Sequence, residues 1–77
     1  MLEIIKMLSI DPFYGRLMKK LSTADLDIIL SFCENSISLD RNEFEHRANR
    51  FFMDREKPKN WKIISEILSV INARRVI

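Results

Sequence analysis

Residues 39–44 read LDRNEF, and this stretch spells the start of a helix. Asp40 can accept a hydrogen bond from a free N–H of the first turn, Glu43 can answer from the third helical position, and Leu39 and Phe44 can close over the start as a hydrophobic staple. Residues 21–26, LSTADL, repeat the device with Ser22, Asp25, Leu21 and Leu26. Two sharp helix starts so close together predict two helices in fixed register, each cap contributing about 1 kcal/mol.

Beyond each start the apolar residues recur at helical spacing. After Ser22, Leu26, Ile29, Leu30 and Cys33 line one face, with Ile28 and Phe32 beside it, until the polar break at 34–36. After Asp40, Phe44, Ala48, Phe51 and Phe52 follow at i, i+4, i+7 and i+8, with Glu43–Arg47 and Arg50–Asp54 as pairs four residues apart, and EKPKN at 56–60 ends the run. A further helix is expected from about Asn60 to Ala73, where Trp61, Ile64, Leu68 and Ile71 form a stripe widened by Ile63, Ile67 and Val70. Upstream, Leu2, Ile5 and Leu8 can share a face. Asp11 can cap, and Pro12 suits a first helical position because its missing N–H would be unpaired there. Phe13, Leu17 and Leu21 are spaced to line the following turn, which Gly15 weakens by up to about 1 kcal/mol. Residues 1–21 read equally as one kinked helix or as two short ones. No segment alternates for long with period two, so the expected class is all-α: a small three- to four-helix bundle in one domain, 1–77, with an N-terminal helical segment 1–21 and a three-helix core 22–73.

The chain has 77 residues, 47% of them hydrophobic. A single copy this small buries only about 60–65% of its unfolded surface, and small domains often rely on a staple or a partner. Cys33 is alone and cannot form an internal disulfide, and with His46 it offers two metal ligands where a structural zinc site needs about four. The stripe on the last helix is broad for a small hairpin to cover, so a homodimer is expected, the alternative being that the first helix covers the remainder. No apolar run reaches the roughly 18–20 residues of a membrane span. MLEIIKMLSI at 1–10 is interrupted by Glu3 and Lys6 and reads as a helix rather than a signal peptide. A cytoplasmic protein without a membrane partner is expected.

The net charge of +2 is unevenly spread. Residues 21–45 set Asp25, Asp27, Glu34, Asp40, Glu43 and Glu45 against Arg41, while residues 46–62 set Arg47, Arg50, Arg55, Lys57, Lys59 and Lys62 against Asp54 and Glu56. Solvated helix faces that attract one another account for much of this. No glycine-rich phosphate loop and no histidine pair at metal spacing occurs. Cys33 lies on an apolar stripe, where an inert buried thiol is expected. His46 reads as a surface histidine with a pH-sensing role as the alternative. The acids serve caps and pairs. A non-enzymatic protein without cofactor or metal is therefore expected.

DNA reading by a helix-turn-helix is disfavoured on two counts. The reading helix would lead with Asp40, Glu43 and Glu45, which repel phosphate, and the connection ENSISLD is longer than the usual three to four residues. The basic cluster can still hold DNA nonspecifically through phosphates.

From Ala24 to Ile71 the chain resembles the small enterobacterial biofilm and acid-response connector proteins of the AriR/YcgZ type. The resemblance lies in the succession LDIILSF, ENSIS, LDRNEFEHRANRFF, MDREKPKN and WKIISEILSVI. The segment 55–62 is more basic than that pattern, and residues 1–10 have no counterpart in it. The resemblance implies a helical homodimer that acts without catalysis, connecting signals to a two-component response regulator and so altering biofilm, capsule or acid-resistance genes. It assigns packing and dimerisation to Leu26, Ile29, Leu30, Phe44, Ala48, Phe51, Ile64, Leu68 and Ile71, and the residues themselves add Trp61. The first expectation is thus a regulatory protein, of the connector type where the resemblance holds, that binds a partner protein such as a response regulator or transcription factor. The expected contact surface is Arg47, Arg50, Asp54 and Arg55, with Lys57 and Lys59 at its end. The alternatives are a nonspecific DNA-binding modulator and a small phage- or bacteriocin-type inhibitor or immunity protein.

Overall fold

A computed structural model describes residues 2–53 and 59–75, with side chains from residue 5 onward except that of residue 52. The described residues form five helices: α1 (Leu2–Ile10), α2 (Pro12–Met18), α3 (Thr23–Ser36), α4 (Arg41–Met53) and α5 (Trp61–Arg74). The all-α class is therefore observed, and the count rises above the expected three to four because residues 1–21 make two helices. The break falls at Asp11, whose carboxylate accepts the Phe13 and Tyr14 N–H groups at 2.9 and 3.1 Å with Pro12 in the first turn. With its donors occupied by a local side chain, the backbone cannot continue α1.

The start of α3 carries the full reciprocal cap, and the start of α4 carries the Asp40 half of it. At α3, the Ser22 hydroxyl accepts the Asp25 N–H and the Asp25 carboxylate accepts the Ser22 N–H, each at 3.1 Å. At α4, the Asp40 carboxylate accepts the Glu43 N–H at 2.8 Å. Glu43 turns outward, 3.9 Å from Arg47.

One buried cluster runs through the helices: Leu8 from α1, Met18 from α2, Leu21, then Ile29, Phe32 and Cys33 from α3, Phe44 from α4, and Ile64, Ile67, Leu68 and Ile71 from α5. The N-terminal segment thus joins the same core as the three longer helices. α5 packs against each of α1, α2, α3 and α4. Its wide stripe is covered inside one chain: Ile64, Ile67, Leu68 and Ile71 are buried, and Trp61, Ile63 and Val70 pack half-buried on the cluster. The first two helices cover part of this stripe, and Trp61, Ile63 and Val70 keep some exposure.

Two stripes differ from the expected spacing. On α2 the inward residues are Met18 and half-buried Tyr14, whereas Phe13 points out, 61% exposed, with its ring edge-on to Tyr14 at 5.0 Å. On α3 the buried line is Asp25, Ile29, Phe32, Cys33 and Ser36, and Leu26, Ile28 and Leu30 lie half-buried to its sides. Gly15 also has a larger part than a weak helix former. It is buried, and a Cβ placed there would meet the Ser9 carbonyl oxygen at 2.7 Å, so the missing side chain lets α2 fold back on the end of α1.

Candidate interaction cleft between α3 and α4

Four residues, 37–40, connect α3 to α4, because α3 continues through Ser36 instead of ending in the polar break. That corrects the connection length expected from the sequence and removes the length objection to a helix-turn-helix. The charge objection gains weight. Arg41, the basic side chain at the head of α4, donates to the Asn72 and Arg75 carbonyls at the end of α5, while Asn72 Nδ2 donates back to the Arg41 carbonyl at 3.0 Å. Arg41 is thereby committed to a helix terminus, and exposed Asp40, Glu43 and Glu45 remain to face any phosphate.

The same junction holds Arg75, which the sequence reading passed over. It is 4% exposed. Its guanidinium donates to Ile37 O at 3.2 Å, to Leu39 O and to Asn72 Oδ1 at 3.1 Å, and lies over the Phe44 ring at 4.7 Å. A fork of five donors fits several carbonyls at once where an ammonium would not. The carboxyl end of α3 also presents the negative end of its dipole to the charge. At the opposite pole, Asn60 donates to Lys20 O and to the Asp25 carboxylate, both at 3.2 Å, tying the start of α5 to the start of α3. The Ser22 N–H first, then the Asn60 amide, hold the Asp25 carboxyl below the ordinary carboxylate range against the opposing effect of its burial.

Between these poles α3 and α4 diverge around an open cleft of about 740 Å³. Ile28, Phe32 and Phe51 give it an apolar lining, and Phe32 meets Phe44 and Phe51 edge-on at 5.1 and 5.7 Å. Asp27 and Glu43 contribute carboxylates to the wall, Arg47 and Arg50 guanidinium groups, His46 an imidazole, and Ser31, Asn35 and Ser36 neutral polar atoms. A second, smaller cleft of about 640 Å³ lies between α4 and α5, where Arg41 and Asn72 are engaged in the junction.

Of the expected contact residues, the structure brings Arg47 and Arg50 together in the α3–α4 cleft and places Lys59 exposed just before α5. Asp54, Arg55 and Lys57, together with the Arg50–Asp54 pair, lie outside the described residues. Of the expected core and dimer residues, Ile29, Phe44, Ile64, Leu68 and Ile71 are buried, and Leu26, Leu30, Ala48, Phe51 and Trp61 are half-buried. The Lys62 ammonium stands 5.8 Å from the Trp61 ring centre. Cys33 is fully buried, and desolvation pushes its thiol up to about 11, away from nucleophilic use. His46 is exposed on the cleft wall. The α3 half of the cleft, Asp27, Ile28, Ser31 and Asn35, escaped the sequence reading, although Ile28 flanking the main stripe was a visible signal.

Among the described residues no three metal-ligating side chains gather, and no helix is long and apolar enough to cross a membrane. No protein-family model, curated protein or solved structure matches the chain.

Proposed function

We propose that this chain is a small non-enzymatic regulatory protein that works in the cytoplasm by binding another protein in the α3–α4 cleft. The observation that carries the reading is the composition of that cleft: an aromatic and aliphatic lining set within carboxylates and guanidinium groups. Such a surface suits an amphipathic segment of a partner whose apolar side enters and whose charges answer Arg47, Arg50, Asp27 and Glu43. A response regulator approached by a connector, or an enzyme approached by an inhibitor, are both partners of this kind. The homodimer rests now on the resemblance alone, since α5 finds its cover within one chain.

The test is affinity capture at moderate salt with the natural chain and with the Arg47→Glu/Arg50→Glu double variant, helicity being checked in both. A specific partner retained by the first and lost by the second supports the reading. Equal retention by both rejects the cleft. The nonspecific DNA reading keeps one observation in its favour, the exposure of Arg47, Arg50, Lys59 and Lys62. It requires a mobility shift that weakens steeply with salt, and no shift at low salt removes it.

A further inference from the structure

Of the five large apolar side chains left most open among the described residues, three lie at the corner between α1 and α2, the other two being Ile37 and Met53. Met7, Ile10 and Phe13 are 59, 83 and 61% exposed, within seven residues of chain. The corner forms where Asp11 stops α1 and Gly15 lets α2 turn back tightly against the Ser9 carbonyl. Its surroundings carry positive charge. Lys6 is one turn from Ile10 and Arg16 one turn from Phe13, both exposed, and exposed Lys19 and Lys20 close α2. Arg74 reaches over from α5 to lie 5.4 Å from the centre of the Tyr14 ring, itself edge-on to Phe13. Asp11, the acid within residues 5–20, spends its carboxylate on the cap of α2.

We propose that this corner docks the protein on a membrane surface rich in anionic lipid, with Ile10 and Phe13 entering the headgroup layer and Lys6, Arg16, Lys19, Lys20 and Arg74 facing lipid phosphates. Five cations fall within the cluster of about four to eight that marks anionic-lipid binding, and aromatic and aliphatic tips beside them supply the apolar part. Charge decides against a second copy of this chain: a two-fold contact through the corner would set the basic rims against each other. A bilayer is favoured over a folded acidic partner, because a fluid surface accepts exposed apolar tips without a matching groove. The expectation of no membrane partner rested on the absence of a spanning run, and surface docking needs none.

The experiment is co-sedimentation of the full chain with vesicles of phosphatidylcholine alone and of phosphatidylcholine mixed three to one with phosphatidylglycerol. Binding to the mixed vesicles only, weakened by salt, is expected. The Ile10→Asp/Phe13→Asp variant alters exposed side chains and is expected to keep the natural circular dichroism and melting curve while losing binding by about tenfold or more. Lys19→Glu/Lys20→Glu is expected to lose about twenty-five-fold or more, at about fivefold for each cation removed. A natural chain that ignores both vesicles overturns the proposal, whether or not it associates with itself or with an acidic protein through the corner. Equal binding by the natural chain and the Ile10/Phe13 variant overturns it as well.

Discussion

At the scale of single residues, small or polar side chains in unusual places hold this fold in its shape. Gly15 is the clearest case. A methyl group at this position must displace the Ser9 carbonyl, which is backbone and cannot swing aside. Alanine there gains up to about 1 kcal/mol of helix propensity, but the displaced α1–α2 contact costs about 1–3 kcal/mol. Gly15→Ala is therefore expected to lower the urea midpoint, and a midpoint equal to or above the natural one would show that the corner is loose. Asp25 makes a pH prediction. Its folded carboxyl titrates below its unfolded value because ionised oxygens accept from Ser22 and Asn60. The unfolded chain therefore binds a proton first as the pH falls, so the stabilisation is complete above about pH 4 and fades as acid approaches the folded value. Asp25→Asn should flatten the acid limb of a stability-against-pH curve; an unchanged limb would place the acid sensitivity elsewhere.

At the scale of helices, the starts were legible in the sequence and the couplings between helix ends were not. Ser22, Asp25, Asp11 and Asp40 act on donors two or three residues away, so short-range chemistry suffices to read them. Arg75 acts on Ile37 and Leu39, more than thirty residues away, and an arginine near a chain end looks like any solvated cation until the fold is known. Asn60 is a similar case: it stands where a cap is expected, yet its amide serves Lys20 and Asp25 across the molecule. Arg75→Met keeps most of the bulk but strands two carbonyls, and is expected to cost about 2–3 kcal/mol in chemical denaturation. Arg75→Lys should recover part of that loss because one ammonium cannot span all three acceptors. Full stability in Arg75→Met would mean that the junction is held by packing on Phe44 alone.

At the scale of the whole molecule, the helical class followed from the period of the apolar residues, and half of the cleft followed from the basic run on α4. The other half comes from α3, where Asp27 and Ile28 gain their place only when α4 lies opposite. The second copy is expected because the α5 stripe is broad for one hairpin, and within one chain α1, α2, α3 and α4 all pack on α5. Sedimentation at two well-separated concentrations should accordingly give the mass of one chain at both, and a mass of two at the higher would return α5 or α4 to the list of interfaces. The central claim is that a partner protein seats between α3 and α4. Amide spectra of the isotopically labelled chain, taken with and without the captured partner, address it most directly. The account predicts that the shifted signals gather at Asp27, Ile28, Ser31, His46, Arg47 and Arg50; a footprint that leaves these untouched and falls instead on the α1–α2 corner would contradict it.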